Sequence, residues 1–297
     1  MDNLVSIDEQ HETWQVTGEL TERWREPKLR YVQRGPNDRH RDLPASISQP
    51  ELRFVNEAAP ASLTRVDLYV RPGGTVVDVQ RFNVTLSTQL DLRRFPFDEQ
   101  RLPIVIEPRG HDADRILLSA DIMHSDLAKA KYAELSQWRN PTLSARVETR
   151  QHQDYDINSL IFTVRLHRGS NSYVWKFLLP LFLIVLLSWV SFWLSPEEFK
   201  TKDQLGTLVS TLLIIVAFNI TATASLPRTN YVTYIDAFLL ACFMFVVLAI
   251  GAVVTTHVLQ VRHRDDAALG MRRLSGTLLP ITFVIAQVAL FAWFFRG

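Results

Sequence analysis

The sequence predicts an α+β membrane protein, an antiparallel β-sandwich followed by a four-helix transmembrane bundle. Three observations carry this reading: charge is unevenly distributed along the chain, the second half holds four long uncharged runs, and the first half alternates apolar and polar residues. Residues 1–172 contain 48 Lys, Arg, Asp or Glu side chains and residues 173–297 only 15, so the net charge of +1 averages over two different solvents. Balanced charge without a basic block also argues against a nucleic-acid partner, whose phosphates require a clustered positive footprint.

The first half, residues 1–168, reads as the sandwich. Trp14, Val16 and Leu20 alternate with polar neighbours, as do Val66, Leu68 and Val70, and again Leu160, Phe162, Val164 and Leu166. A period of two marks half-buried strands. Pro72-Gly73-Gly74 predicts a hairpin turn, because Gly adopts the positive φ such turns demand. Many short strands without helical periodicity predict two packed antiparallel sheets. No repeat or flexible linker follows, so the sandwich is expected to join the first span within about ten residues, too few to isolate the two parts.

The second half, residues 169–297, reads as the bundle. Its uncharged stretches are Phe177 to Pro196, Gln204 to Pro227, Ala237 to Val261 and Leu274 to Phe295, and the helices are expected over about 173–195, 203–226, 233–261 and 272–296. About 20 helical residues match a hydrocarbon thickness of roughly 30 Å. Arg262, Arg264, Arg272 and Arg273 fall between the third and fourth runs, which predicts that this connection is a cytoplasmic loop. Both termini then lie outside the cytoplasm, so export of the first domain implies a leader upstream of this numbering. Tyr173, Trp175, Tyr231, Tyr234 and Trp293 to Phe295 are expected to form an outer aromatic belt, with Trp189 and Trp193 marking the inner side.

Enzyme signatures are missing. The sequence has no Gly-rich phosphate loop, no His-Glu-x-x-His pair and no Gly-x-Ser-x-Gly elbow, so no catalytic residue, cofactor or metal is expected. The single cysteine, Cys242, forbids an intrachain disulfide and reads as a small buried hydrophobe. His257, near the inner end of the third run, is a functional candidate or, alternatively, a snorkelling or hydrogen-bonded side chain.

Of the four runs only the second carries a polar stripe. Asp203, Gly206, Ser210, Leu213, Ala217, Ile220 and Ala224 recur every three or four residues and share one helical face. That face suits a pore wall, with Leu213, Ala217 and Ile220 as a hydrophobic gate that closes by dewetting. The alternative is that Ser210, Thr207 and Thr211 are helix-packing contacts. One helix cannot enclose a pore, so a water-lined stripe requires several copies around one axis. Asp203 then becomes an acidic ring favouring cations, which Lys202 would weaken or reverse if it turned toward the lumen.

Two motifs now become recognisable. Leu92-Arg93-Arg94-Phe95-Pro96-Phe97-Asp98-Glu99-Gln100, without flanking cysteines, resembles the signature loop of bacterial pentameric ligand-gated ion channels, the Cys-loop receptor superfamily. Ser210-Thr211-Leu212 through Ala217-Phe218-Asn219 to Leu226-Pro227-Arg228-Thr229-Asn230-Tyr231 is similar to their pore helix and the loop after it, and Arg168 and Pro180 match as well. The resemblance spans nearly the whole chain. It implies a homopentameric ring in the inner membrane, with the sandwich and the C-terminus periplasmic. It further implies a pore passing monovalent cations and an extracellular domain that senses a small-molecule agonist or protons. Asp98 and Arg168 become a coupling ion pair, with Pro96 and Phe97 at the loop tip and Pro227, Arg228 and Tyr231 in the receiving loop.

The agonist region departs from the family pattern. Relatives box an amine with aromatic rings, whereas Ile106-Glu107-Pro108-Arg109 carries a guanidinium at the expected aromatic position. Glu107, Arg109 and Tyr155 are the candidate agonist residues, and Arg109 would favour a carboxylate over an amine or else bond a nearby acid. Rival readings are an anion-selective channel and a non-conducting membrane receptor.

Overall fold

The computed structural model describes residues 3–32, 35, 39–40, 49–109, 116–120, 137–152, 155–193, 201–223 and 229–296. The chain divides into two compact units. One comprises Met1–Leu90 and Glu99–His167; the other comprises Asp91–Asp98 and Arg168–Gly297. The loop Asp91–Asp98 therefore groups with the helices, which changes the expected single boundary after residue 168.

The first unit is a sandwich of two four-stranded sheets. Strands β1 (Asn3–Asp8), β2 (Thr13–Arg25), β5 (Thr75–Ser87) and β4 (Glu57–Arg71) form one sheet in the order β1-β2-β5-β4. Strands β3 (Glu51–Phe54), β6 (Glu99–Arg109), β8 (Tyr155–Arg168) and β7 (Trp138–His152) form the other, in the order β3-β6-β8-β7. Trp14, Val16, Val84 and Leu86 of the first sheet and Leu102, Ile104, Val164 and Leu166 of the second are buried. Burial of each such aliphatic side chain is worth about 1.5–3 kcal/mol. The β4–β5 turn requires glycine. Gly74 has φ +79°, and a Cβ there would lie 2.7 Å from the Glu26 carbonyl oxygen.

Two expected alternations are broken. Val66 is 51% exposed while Tyr69 and Val70 are both buried, because the β4–β5 register shifts between Arg65 and Asp67. A bulge of this kind turns the following side chains to the opposite face. On β8, Ile161 is buried although period two would turn it outward, and Phe162 is only half-buried. Val105, the cross-strand partner of Ile161, is buried too, so the middle of this sheet is covered on both faces.

The second unit contains four helices long and apolar enough to cross a membrane: Asn171–Ser188, Thr201–Thr223, Tyr234–Val261 and Asp265–Phe294. The first widens into a π turn over Val174–Leu178, as expected where the ring and missing N–H of Pro180 obstruct regular α bonding. It ends in a 3-10 turn, Trp189–Phe192. Thr233 opens the third helix with a capping box: its hydroxyl accepts from Asp236 N at 3.3 Å, and Asp236 Oδ2 accepts from Thr233 N at 3.0 Å. Cys242 lies fully buried in this helix, and His257 stands on its exposed side.

The fourth helix starts well before residue 272. Asp265 and Asp266 occupy its first turn, where carboxylates favour the helix dipole. Arg272 and Arg273, expected at the start of this helix, thus lie about two turns inside it, and Arg272 is buried with Nε donating to the Phe192 carbonyl at 3.1 Å. Trp189 is also corrected. It is buried edge-on against Phe283 inside the bundle, so only Trp193 remains an exposed indole at that end. Tyr234 likewise leaves the expected belt, because Phe238, Phe291, Phe294 and Phe295 surround its buried ring.

Candidate functional site

The loop Asp91–Asp98 begins with a local clamp. Asp91 accepts from Arg93 N at 3.1 Å, Nε at 2.9 Å and Nη2 at 2.8 Å, and the Arg93 side chain holds its carboxyl below the ordinary carboxylate range. The loop then turns through a cis Phe95–Pro96 bond, with Pro96 buried. Phe97 lies edge-on to Tyr234, Phe291 and Phe295, at centroid separations of 5.8, 6.0 and 5.6 Å. These are ordinary edge-to-face distances, so the loop tip is anchored to the start of the third helix and the end of the fourth.

Asp98 closes the loop and meets Arg168. Arg168 Nε donates to Asp98 Oδ1 at 2.7 Å and Nη2 to Oδ2 at 3.2 Å, while Arg168 N donates to the Asp98 carbonyl at 3.0 Å. Both side chains are essentially inaccessible, at 0% and 1% exposure. The guanidinium carbon also lies 4.9 Å from the Phe95 ring centroid, and Phe95 packs edge-on against Tyr173 of the first helix. Charge pairing, a forked hydrogen bond and an aromatic face thus converge where β8 leads into the first helix.

Tyr231 ties in a further segment. Leu92 N donates to Tyr231 Oη at 3.0 Å, and Tyr234 N donates to the Arg93 carbonyl at 2.9 Å. Pro227 and Arg228 lie outside the described residues. Of the seven candidate coupling residues, Pro96, Phe97, Asp98, Arg168 and Tyr231 thus belong to one contiguous packed cluster. Phe95 and Tyr234 are members that the sequence reading did not single out for this role.

The second helix has two distinct faces. Gln204, Leu208, Thr211 and Ile215 are buried, whereas Asp203, Gly206, Ser210, Leu213, Ala217 and Ile220 are all open or exposed. At about 100° per residue the two sets are centred on roughly opposite sides of the helix. The hydroxyl residues separate accordingly. Thr211 packs inward with its hydroxyl donating to the Thr207 carbonyl at 3.0 Å, while Ser210 lies on the open face. Lys202 is exposed beside Asp203, and Ala224 lies outside the described residues.

In the sandwich the candidate agonist residues diverge. Glu107 is buried, accepting from Ser159 Oγ at 2.6 Å and Arg53 Nη2 at 3.2 Å, so it serves the packing of its own sheet. Arg109 is exposed and borders a cavity of about 570 Å³ between the two sheets. Tyr155 opens β8, and its side chain lies outside the described residues. Glu22 lines the same cavity. Burial and the nearby Asp78 carboxylate push its carboxyl up to about 7, only partly offset by Arg65. Among the described residues no group of three His, Cys, Asp or Glu side chains converges as metal ligands would.

Comparison with known proteins decides the family. Residues 1–170 match the neurotransmitter-gated ion-channel ligand binding domain, and residues 177–279 match the transmembrane region of the same channels. The chain belongs to the neurotransmitter-gated ion-channel family. As a member it is a multi-pass membrane protein of the ligand-gated channel class, built as a sandwich followed by four membrane helices. A "Proton-gated ion channel" from Gloeobacter violaceus is 31% identical over 98% of this chain and 80% of its own. A "Gamma-aminobutyric acid receptor subunit beta" from Lymnaea stagnalis is 29% identical over 82% of this chain and 52% of its own. A "pH-sensitive chloride channel 2" from Anopheles gambiae is 28% identical over 83% and 42%. The chain thus spans about half the length of the animal channels it matches.

Proposed function

We propose that five copies of this channel chain surround a common axis and conduct monovalent cations, with the second helix as the pore wall. The observation that carries this reading is the open face Asp203, Gly206, Ser210, Leu213, Ala217 and Ile220, opposite the packed face of the same helix. In a single subunit that face is exposed, and five copies turn it inward on water. Asp203 then forms an acidic ring at the inner mouth and Ser210 a hydroxyl ring above it, while Leu213, Ala217 and Ile220 narrow the path with apolar side chains. The sandwich and both termini lie on the outer, periplasmic side of the inner membrane, and the sandwich receives the stimulus.

The stimulus is a small ligand or the proton, and the name of the Gloeobacter relative favours the proton. Among small molecules, Arg109 at the cavity suits a carboxylate. Force then passes through the cluster of Phe97, Asp98, Arg168 and Tyr231 to the helices, with Pro96 fixing the loop's path and Pro227 and Arg228 completing the receiving segment.

Lys202 and the chloride-channel relative support an anion pore as the second reading. Membrane recording under a salt gradient, with external pH stepped, separates the two. A cation reversal potential that moves toward zero in Asp203→Ala is expected. Reversal at the chloride value in the parent chain would refute cation selectivity.

A further inference from the structure

The cross-strand register of the first sheet brings two carboxylates face to face. Glu22 on β2 lies directly opposite Asp78 on β5. Directly opposed side chains on an antiparallel pair have Cβ atoms about 4.5–5.5 Å apart, where like charges repel. Asp78 is 2% exposed and its oxygens are engaged: Arg65 Nε reaches Oδ1 at 3.0 Å, Arg65 Nη2 reaches Oδ2 at 2.9 Å, and Gln80 Nε2 reaches Oδ2 at 2.9 Å. Arg65 Nη2 also donates to Gln49 Oε1 at 2.9 Å, so the Arg65 guanidinium is committed to Asp78 and Gln49. No hydrogen bond to the Glu22 carboxyl occurs among the described residues.

Among the described residues, the cavity that Glu22 and Arg65 border carries three other charged side chains. Arg53 and Glu51 come from β3 and Arg109 from β6, and Arg53 is paired with Glu107. Two acids sharing one base cannot both ionise without loss, and the cheaper state holds one proton on Glu22.

We propose that Glu22 and Asp78 form one proton-binding site in the sandwich, and that uptake of a single proton there favours the conducting state. Losing that proton leaves two carboxylates facing each other at the edge of the cavity and draws Arg65 toward Glu22 and away from Gln49. Arg65 joins β4 to β5, so this redistribution moves the cavity wall. The gating part rests on the reading that the sandwich receives the stimulus; the proton-binding part stands independently.

The two parts are tested by separate measurements. Glu22 changes from its ordinary value of 4.5 to about 7 in the folded chain, so the folded state holds a proton that the unfolded chain has lost. Its contribution to stability is fully present below about pH 4.5, is lost as pH rises to about 7, and stays lost above. The apparent melting temperature of the purified full-length chain should carry this fall, and Glu22→Gln should remove it. If Glu22→Gln does not fold, Asp78→Asn serves, because removing the opposing charge should displace the fall toward acid. An identical pH profile in the parent and the variant would overturn the proton site.

Recording then tests the coupling. Glu22→Gln should flatten the response of the current to external pH near neutrality. An unchanged pH response would overturn the link to gating. Parent currents that ignore pH would defeat the proton-gating reading while leaving the melting profiles to decide the site.

Discussion

Replacing Arg168 by Met tests the coupling cluster most directly, because it removes one member of a fully buried pair while keeping most of the side-chain volume. The variant forfeits the 2.7 and 3.2 Å bonds to Asp98 and the contact with the Phe95 ring, but retains the backbone bond from residue 168 to the Asp98 carbonyl. The larger effect is on the residue left behind. The Asp98 side chain is 1% exposed, so its carboxylate loses the forked guanidinium without gaining water in exchange. Stranding a buried charge in this way costs about 3–5 kcal/mol.

For a folded unit of 150–250 residues each kcal/mol shifts the melting temperature by roughly 2–4 °C, and at the lower end the variant should melt about 6–10 °C below the parent. The assay is the apparent melting temperature of the detergent-purified chain at a fixed scan rate, since membrane proteins of this kind unfold irreversibly. The double variant Asp98→Asn, Arg168→Met carries no stranded charge and should regain more than half of the loss, yet remain silent to the stimulus. Two results would refute the reasoning: Arg168→Met melting with the parent, or a double variant less stable than the single one.

Leu213→Ser should make the narrow apolar band of the second helix wettable and raise current in the absence of stimulus; recordings with unchanged resting current would remove Leu213 from the gate. Tyr231→Phe deletes the acceptor for Leu92 N–H and leaves that donor unpaired, at a cost of about 1–3 kcal/mol. Its expected signature is a smaller maximal current at normal surface expression, and parent-like currents would show that this bond does not transmit gating.

Local chemistry wrote much of the fold into the sequence. The membrane helices follow from uncharged runs longer than a bilayer is thick, the β4–β5 hairpin from Pro72-Gly73-Gly74, and the open face of the second helix from residues only three or four apart. Each of these depends on neighbours along the chain, which a sequence displays directly. The Asp98–Arg168 pair came from family resemblance, since nothing local joins residues 70 positions apart.

Tertiary structure decided the rest. Val66 turned outward because of a bulge that the register alone reveals, and Trp189 turned inward because Phe283 of another helix receives it. Arg272 is buried, with its Nε donating to the carbonyl of Phe192, 80 positions away. Glu107 was drawn into its own sheet by Ser159 and Arg53, leaving Arg109 at the cavity. The opposition of Glu22 and Asp78 is the clearest case. In the sequence each is one acid among many, and only the β2–β5 register brings them together over one guanidinium. Patterns with a short period report which face a side chain occupies, whereas the partner it meets there depends on register and packing between distant segments, which no short window of sequence contains.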